Sequence, residues 1–202
     1  PLFISAIYRM QGMENFFAVK AAQCVINSAA CVLLFLIAAR FVHPGAALLA
    51  GLVCAVYPPS LIYCGILQSE TLFVFLLMLF VYLWFRHMEN ASWATLAGCG
   101  AVLGLVNLTR GTTLFFPFVL LAAPFVFRRE MARRKQYIIT AVVSLLVVAP
   151  WTWRNYKVYH AFIPIISGGT ELVWFGTLPI DSLKVYGDAP EFKALSVPAD
   201  LR

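Results

Sequence analysis

The chain has 202 residues, of which 62% are hydrophobic and 12% charged, and its mean hydropathy is +0.85. That balance excludes an ordinary soluble domain and describes a polytopic membrane protein. The net charge of +6 does not mark a nucleic-acid partner, because the basic residues fall in short gaps between apolar runs and do not line one polar face.

Residues 1–19 mix Arg9, Gln11, Glu14 and Asn15 with Phe3, Ile7, Tyr8, Phe16 and Phe17, which predicts an amphipathic helix lying on the membrane. The first span is expected over about Lys20 to Ala39, long enough for a hydrocarbon core of about 30 Å. Its polar residues Gln23, Asn27 and Ser28 are expected to face other helices. Arg40 and His43-Pro44-Gly45 make a turn, and a short second span covers about Ala46 to Tyr57. Pro58 and Pro59 cannot continue it, and they bias the preceding residue toward extended geometry. The third span runs from Ser69 to Phe85, with Ser69 expected as its cap and Glu70 in its first turn.

The fourth, over about Trp93 to Leu108, carries Gly98, Gly100 and Gly104, small residues that let helices approach closely. The fifth, over about Thr112 to Phe127, contains Pro117 and Pro124, which membrane helices tolerate when neighbours satisfy the freed carbonyls. The sixth covers about Tyr137 to Ala149 and is expected to stop at Pro150, with Trp151, Trp153 and Tyr156 as an interfacial belt. Cys24, Cys31, Cys54, Cys64 and Cys99 are scattered through apolar sequence without a paired motif, so they read as small core residues with no metal site. His43, His87 and His160 are isolated and read as interfacial.

The expected architecture is therefore all-α: a polytopic transmembrane helix bundle of about six spans with an interfacial N-terminal helix. Residues 1–150 form the membrane domain, and 151–202 begin a polar, non-cytoplasmic segment. The start at Pro1 without a methionine or signal peptide reads as a piece of a longer chain. Gaps on one side hold Arg40, Arg86, Arg128, Arg129, Arg133, Arg134 and Lys135, whereas those on the other hold only Arg110. The positive-inside rule makes the first set cytoplasmic. Glu70, Arg110, Arg154, Asn155 and Lys157 then share the opposite face.

Glu70 is the first candidate. An ionised carboxylate at the bilayer centre would cost roughly 3 kcal/mol, so it belongs at a surface or in a polar cavity. It has two readings, a helix-start charge at an interface and a catalytic or substrate-orienting group. Arg110 likewise either snorkels to lipid headgroups or binds a phosphate, for which its planar fork is matched. Tyr63, Arg154 and Asn155 complete the substrate-binding candidates.

Several short patterns occur in one order: Pro1-Leu2 with Tyr8-Arg9 and Gly12; Lys20-Ala21-Ala22-Gln23; Tyr57-Pro58 followed by Ser69-Glu70-Thr71-Leu72-Phe73; Gly104-Leu105 with Leu108-Thr109-Arg110; and Pro150-Trp151 with Arg154-Asn155-Tyr156. Together they resemble the C-class (GT-C) integral-membrane glycosyltransferases, in the group of dolichyl-phosphate-mannose protein mannosyltransferases and bacterial aminoarabinose transferases. The resemblance implies transfer of a hexose or pentose from a polyprenyl-phosphate carrier to a lipid, glycan or protein acceptor, with inversion, on the periplasmic or lumenal side. A bacterial inner membrane is favoured over the endoplasmic reticulum.

The same resemblance places Glu70 at the acceptor or beside a bound divalent cation, and Arg110 and Arg154 at the phosphate. It also places the family's usual catalytic Asp upstream of Pro1. A transporter or flippase is the competing class. It would carry ionisable residues near mid-span and an internal repeat, whereas the charges here gather at span ends.

Overall fold

The computed structural model describes residues 3, 7–9, 16–66, 68–127, 133–160 and 162–165. The expected interfacial helix falls mostly outside these residues, and the polar segment after Ile165 does so entirely. The described residues are built of helices α1 (Phe16–Ala38), α2 (Pro44–Val56), α3 (Pro58–Gly65), α4 (Glu70–Glu89), α5 (Trp93–Thr109), α6 (Phe116–Val126) and α7 (Arg134–Tyr159), with a 3-10 turn at Gly111–Phe115 before α6. No strand occurs among them. Helices α1, α4 and α7 are each long and apolar enough to cross a membrane. Helices α2 and α3 meet that length only as a pair bent by 45°, and α5 and α6 are shorter apolar helices.

The bend between α2 and α3 is the expected proline break. Tyr57 is extended, with φ −65° and ψ 116°, and Pro58 opens α3, where its missing N–H has no intrahelical partner to lose. By contrast, Pro150 does not stop the last helix, which runs on to Tyr159 and ends at His160 with φ 50°. The boundary expected after residue 150 thus falls inside α7. The turns beyond the proline are braced from outside: Thr152 Oγ1 donates to the Pro164 carbonyl at 2.9 Å, and Trp151 Nε1 to the Ile165 carbonyl at 3.3 Å. These bonds hold the turns beyond the proline in place, although the carbonyl that Pro150 leaves without an N–H is that of Leu146.

Packing follows the small residues. A Cβ placed at Gly100 would lie 2.6 Å from Val143 Cβ, and one at Gly104 2.5 Å from Val147 Cβ. Only glycine admits the parallel α5–α7 contact at these two turns. Gly98 meets nothing closer than 3.9 Å and is not needed for it. Helix α4 packs against α5 on one side and α1 on the other. Between α4 and α5, His87 is 3% exposed with Nδ1 3.0 Å from Thr95 Oγ1. It is buried within the bundle, in the last turn of α4.

The polar residues of α1 divide by face. Gln23 and Asn27, one helical turn apart, are buried against neighbouring segments. Ser28 is rotated away from that face; it is exposed and donates to its own helix at Cys24 O, 2.9 Å away. The expectation that all three face other helices therefore holds for two. Cys31, Cys64 and Cys99 are buried, Cys54 is half-buried and Cys24 is exposed.

The two ends of the bundle differ in chemistry. At one end Arg40 Nη1 pairs with Glu89 Oε1 at 2.6 Å, and the Arg40 guanidinium lies over the Tyr82 and Phe85 rings. The Trp84 and Tyr137 rings stand 5.0 Å apart there, so the start of α7, with Arg134 and Lys135, joins the basic end. The opposite end gathers the α2–α3 hinge, the start of α4 and the end of α5.

Candidate functional site at the hinge end

A cleft of about 170 Å3 opens at that second end. Helix α1 contributes Asn27, α3 contributes Ser60 and Tyr63, and the first turns of α4 contribute Glu70, Thr71 and Phe73. Arg110, between α5 and the 3-10 turn, completes it. The sequence brings these together by ending helices: the proline break leaves α3 short, and α4 then restarts with its first carboxylate at the rim.

The walls are fastened by polar side chains of α1. Gln23 Nε2 donates to the Gln68 carbonyl at 2.9 Å, fixing the turn that leads into α4. Ser60 Oγ donates to Asn27 Oδ1 at 2.7 Å, tying α3 to α1. Both α1 residues are almost wholly inaccessible, at 1% and 9% exposure. An unmade hydrogen bond at such depth would cost about 1–3 kcal/mol, which is why the polar partners sit where they do.

Glu70 lies in the first turn of α4, at the positive end of the helix dipole. Its Oε2 is buried and has no hydrogen-bond partner among the described residues. The ion pair among those residues is Arg40–Glu89, so Glu70 is not neutralised by Arg110. The expected Ser69 cap does not form: Ser69 sits at φ −88° and ψ −3°, in helical geometry, and its side chain makes no capping bond. Capping by an N-terminal serine needs an extended backbone there.

Arg110 is exposed, with its guanidinium 5.7 Å above the Phe73 ring and no ion pair to a carboxylate among the described residues. Stacking on an aromatic face holds the fork while leaving its N–H edges free. A carboxylate with an unused oxygen and an unpaired guanidinium thus share one small polar cleft in an otherwise apolar bundle.

Of the sequence candidates, the fold joins Tyr63, Glu70 and Arg110. Arg154 and Asn155 do not line this cleft. The Arg154 guanidinium stacks 5.0 Å from the Trp151 ring, and its Nη1 donates to Asn155 Oδ1 at 3.4 Å. Asn155 is 3% exposed, and its Nδ2 donates to the carbonyls of Ile163 at 3.1 Å and Ile165 at 3.4 Å. It acts as a latch for the returning segment. That segment still bears on the cleft, since a Cβ at Gly111, next to Arg110, would lie 3.9 Å from Ile165 Cβ.

A second, apolar groove of about 560 Å3 runs between α6, α7 and residues 162–164, with Leu114, Phe118, Trp153 and Phe162 on its walls. It begins at the 3-10 turn that follows Arg110.

The family model described as dolichyl-phosphate-mannose-protein mannosyltransferase matches residues 1–153. The chain belongs to that family. No curated protein and no solved structure matches it. The mannosyltransferase-family match takes in every residue that lines the hinge cleft and ends just before Arg154 and Asn155. Membership makes the chain part of a C-class membrane glycosyltransferase. The polar residues that sequence reasoning left out of the site are Asn27, Ser60 and Thr71. For Asn27 a signal existed, an amide one turn from Gln23 on the same face of an apolar helix.

Proposed function

We propose that the protein transfers a sugar from a polyprenyl-phosphate carrier to a hydroxyl of a lipid, glycan or protein acceptor on the non-cytoplasmic side of the membrane, in a bacterial inner membrane in the first instance. The observation that carries this reading is the pairing of an unneutralised carboxylate, Glu70, with an unpaired guanidinium, Arg110, in one cleft at the end of the bundle opposite the arginine-rich turns. The positive-inside rule supports a cytoplasmic position for those turns.

In this reading Arg110 binds the phosphate of the carrier and stabilises the charge it gains as the sugar departs. Glu70 accepts the hydrogen bond of the attacking hydroxyl and takes its proton as the new glycosidic bond forms. The bond from the anomeric carbon to the phosphate oxygen breaks, and the carrier leaves as polyprenyl phosphate. The apolar groove beyond the 3-10 turn suits the isoprenoid chain, because it begins within a turn of Arg110. Arg154, beside Trp151, is the reserve cation for the same phosphate. Among the described residues no three His, Cys, Asp or Glu side chains converge. The alternative, a divalent cation beside Glu70, would need further oxygen ligands from outside the described residues.

The test is transfer by the full-length enzyme in lipid nanodiscs, supplied with radiolabelled sugar either on a polyprenyl phosphate or on a nucleotide. Label should reach the acceptor from the lipid-linked donor alone. Equal transfer from the nucleotide sugar without a lipid carrier would overturn the reading.

A further inference from the structure

Glu70 and Thr71 are consecutive, and each carries a buried oxygen without a hydrogen-bond partner among the described residues. Thr71 is the more telling. It is 5% exposed and lines the cleft. Thr109 and Thr113 each donate to the carbonyl three residues back, at 2.7 and 2.8 Å, the usual local outlet for a threonine. Thr71 makes no such bond, although the carbonyl three residues back, Gln68 O, already accepts from Gln23 Nε2. The Cys64 thiol is close enough to interact with the Thr71 hydroxyl but is a weak partner, and it itself donates to Gln23 O at 3.9 Å. A buried hydroxyl left unmet is destabilising; Thr140 Oγ1 shares that state, and Thr71 differs from it in lining a cleft that a ligand can enter.

The facing wall has unused capacity too. Because Asn27 Oδ1 accepts from Ser60 Oγ, the Asn27 amide hydrogens and the Ser60 oxygen lone pairs remain for a ligand. A cleft of about 170 Å3 holds one small ring, with Arg110 at one side for an attached phosphate. Unmatched oxygens on α4, with spare amide hydrogens and lone pairs on Asn27 and Ser60, suit a ring carrying several hydroxyls.

We propose that Thr71 binds a hydroxyl of the transferred sugar, opposite Asn27 and Ser60, and thereby sets which sugar the enzyme accepts. This rests on the lipid-linked sugar donor proposed above.

The test compares wild type with Thr71→Val, which keeps the shape and removes the hydroxyl, in the full-length enzyme in nanodiscs. A panel of short-chain polyprenyl-phosphate hexoses and pentoses identifies the donor that wild type uses best, and that donor is remade as a series lacking one hydroxyl each. Thr71→Val should lower kcat/KM on the intact donor about ten- to a hundredfold, the factor expected for one unsatisfied buried contact. Its Tm should be unchanged or higher, since a buried unpaired hydroxyl has gone. Wild type should discriminate against one deoxy donor by a similar factor, and Thr71→Val should not.

A lower Tm with discrimination intact would make Thr71 structural and overturn the proposal, as would wild-type kcat/KM in the variant. If wild type uses no member of the panel, the donor reading fails and the proposal falls with it. If wild type transfers normally and the variant still discriminates, the proposal alone fails.

Discussion

Glu70→Gln should lower the transfer rate of the full-length enzyme by about 10²–10⁴-fold, the range for losing a positioned general base, while the protein still inserts and folds. Glutamine keeps the side-chain volume but cannot take a proton from the attacking hydroxyl. The fold has little to lose, because Glu70 Oε2 makes no hydrogen bond among the described residues and the carboxylate joins no ion pair there. A residue serving only as a favourable charge at the start of α4 would show the opposite pattern, with Tm falling by the small amount that a helix-dipole contact contributes and turnover retained. Initial rates in nanodiscs, read beside a thermal melt by tryptophan fluorescence, separate the two. Wild-type turnover would remove Glu70 from the mechanism.

Arg110→Gln should cost about 10²–10³-fold in kcat/KM, the size seen when one donor to a developing oxyanion is removed. Arg110→Lys should recover part of the loss, because an ammonium restores the charge but not the planar fork. The variant should also bind the product polyprenyl phosphate more weakly, which a competition assay measures directly. Anchoring of α5 to headgroups predicts something else: a snorkelling arginine is replaceable by lysine without loss of turnover. Retained product affinity in Arg110→Gln would move the phosphate elsewhere, with Arg154 the next cation to test.

How these residues came to be visible differs from one to another. Glu70 and Arg110 could be picked out of the sequence because ions are expensive in lipid, so the few that interrupt apolar runs mark surfaces or cavities. The α2–α3 break was legible for a local reason as well, since Pro58 constrains Tyr57 whatever surrounds it. Gly100 and Gly104 were readable by their spacing as a close-contact face, although spacing alone included Gly98, which the α5–α7 contact does not use.

Other features depended on contacts far away in sequence. Pro150 predicts a helix end, yet Thr152 and Trp151 bond to the segment returning at residues 164 and 165 and carry α7 through. Asn155, a substrate-binding candidate in the sequence, bonds in the fold to backbone carbonyls eight and ten residues on, contacts that its local sequence does not announce. Thr71 reads in the sequence like any threonine at a helix start; its burial at the cleft without a hydrogen-bond partner is a product of the fold. The family resemblance carried by Tyr57-Pro58 and Ser69-Glu70-Thr71 agrees with the match over residues 1–153. It said nothing of Asn27 or Ser60, whose convergence is a product of the fold.

The most direct check is sidedness. Single cysteines are introduced as Gln68→Cys, in the exposed turn beside the cleft, and Asn90→Cys, exposed at the far end of α4, in a background with the native cysteines replaced. Intact cells are treated with a membrane-impermeant maleimide. Position 68 should label from outside and position 90 only after the membrane is opened. Labelling of both from the same side, or of position 90 alone in intact cells, would contradict an outward-facing Glu70–Arg110 cleft.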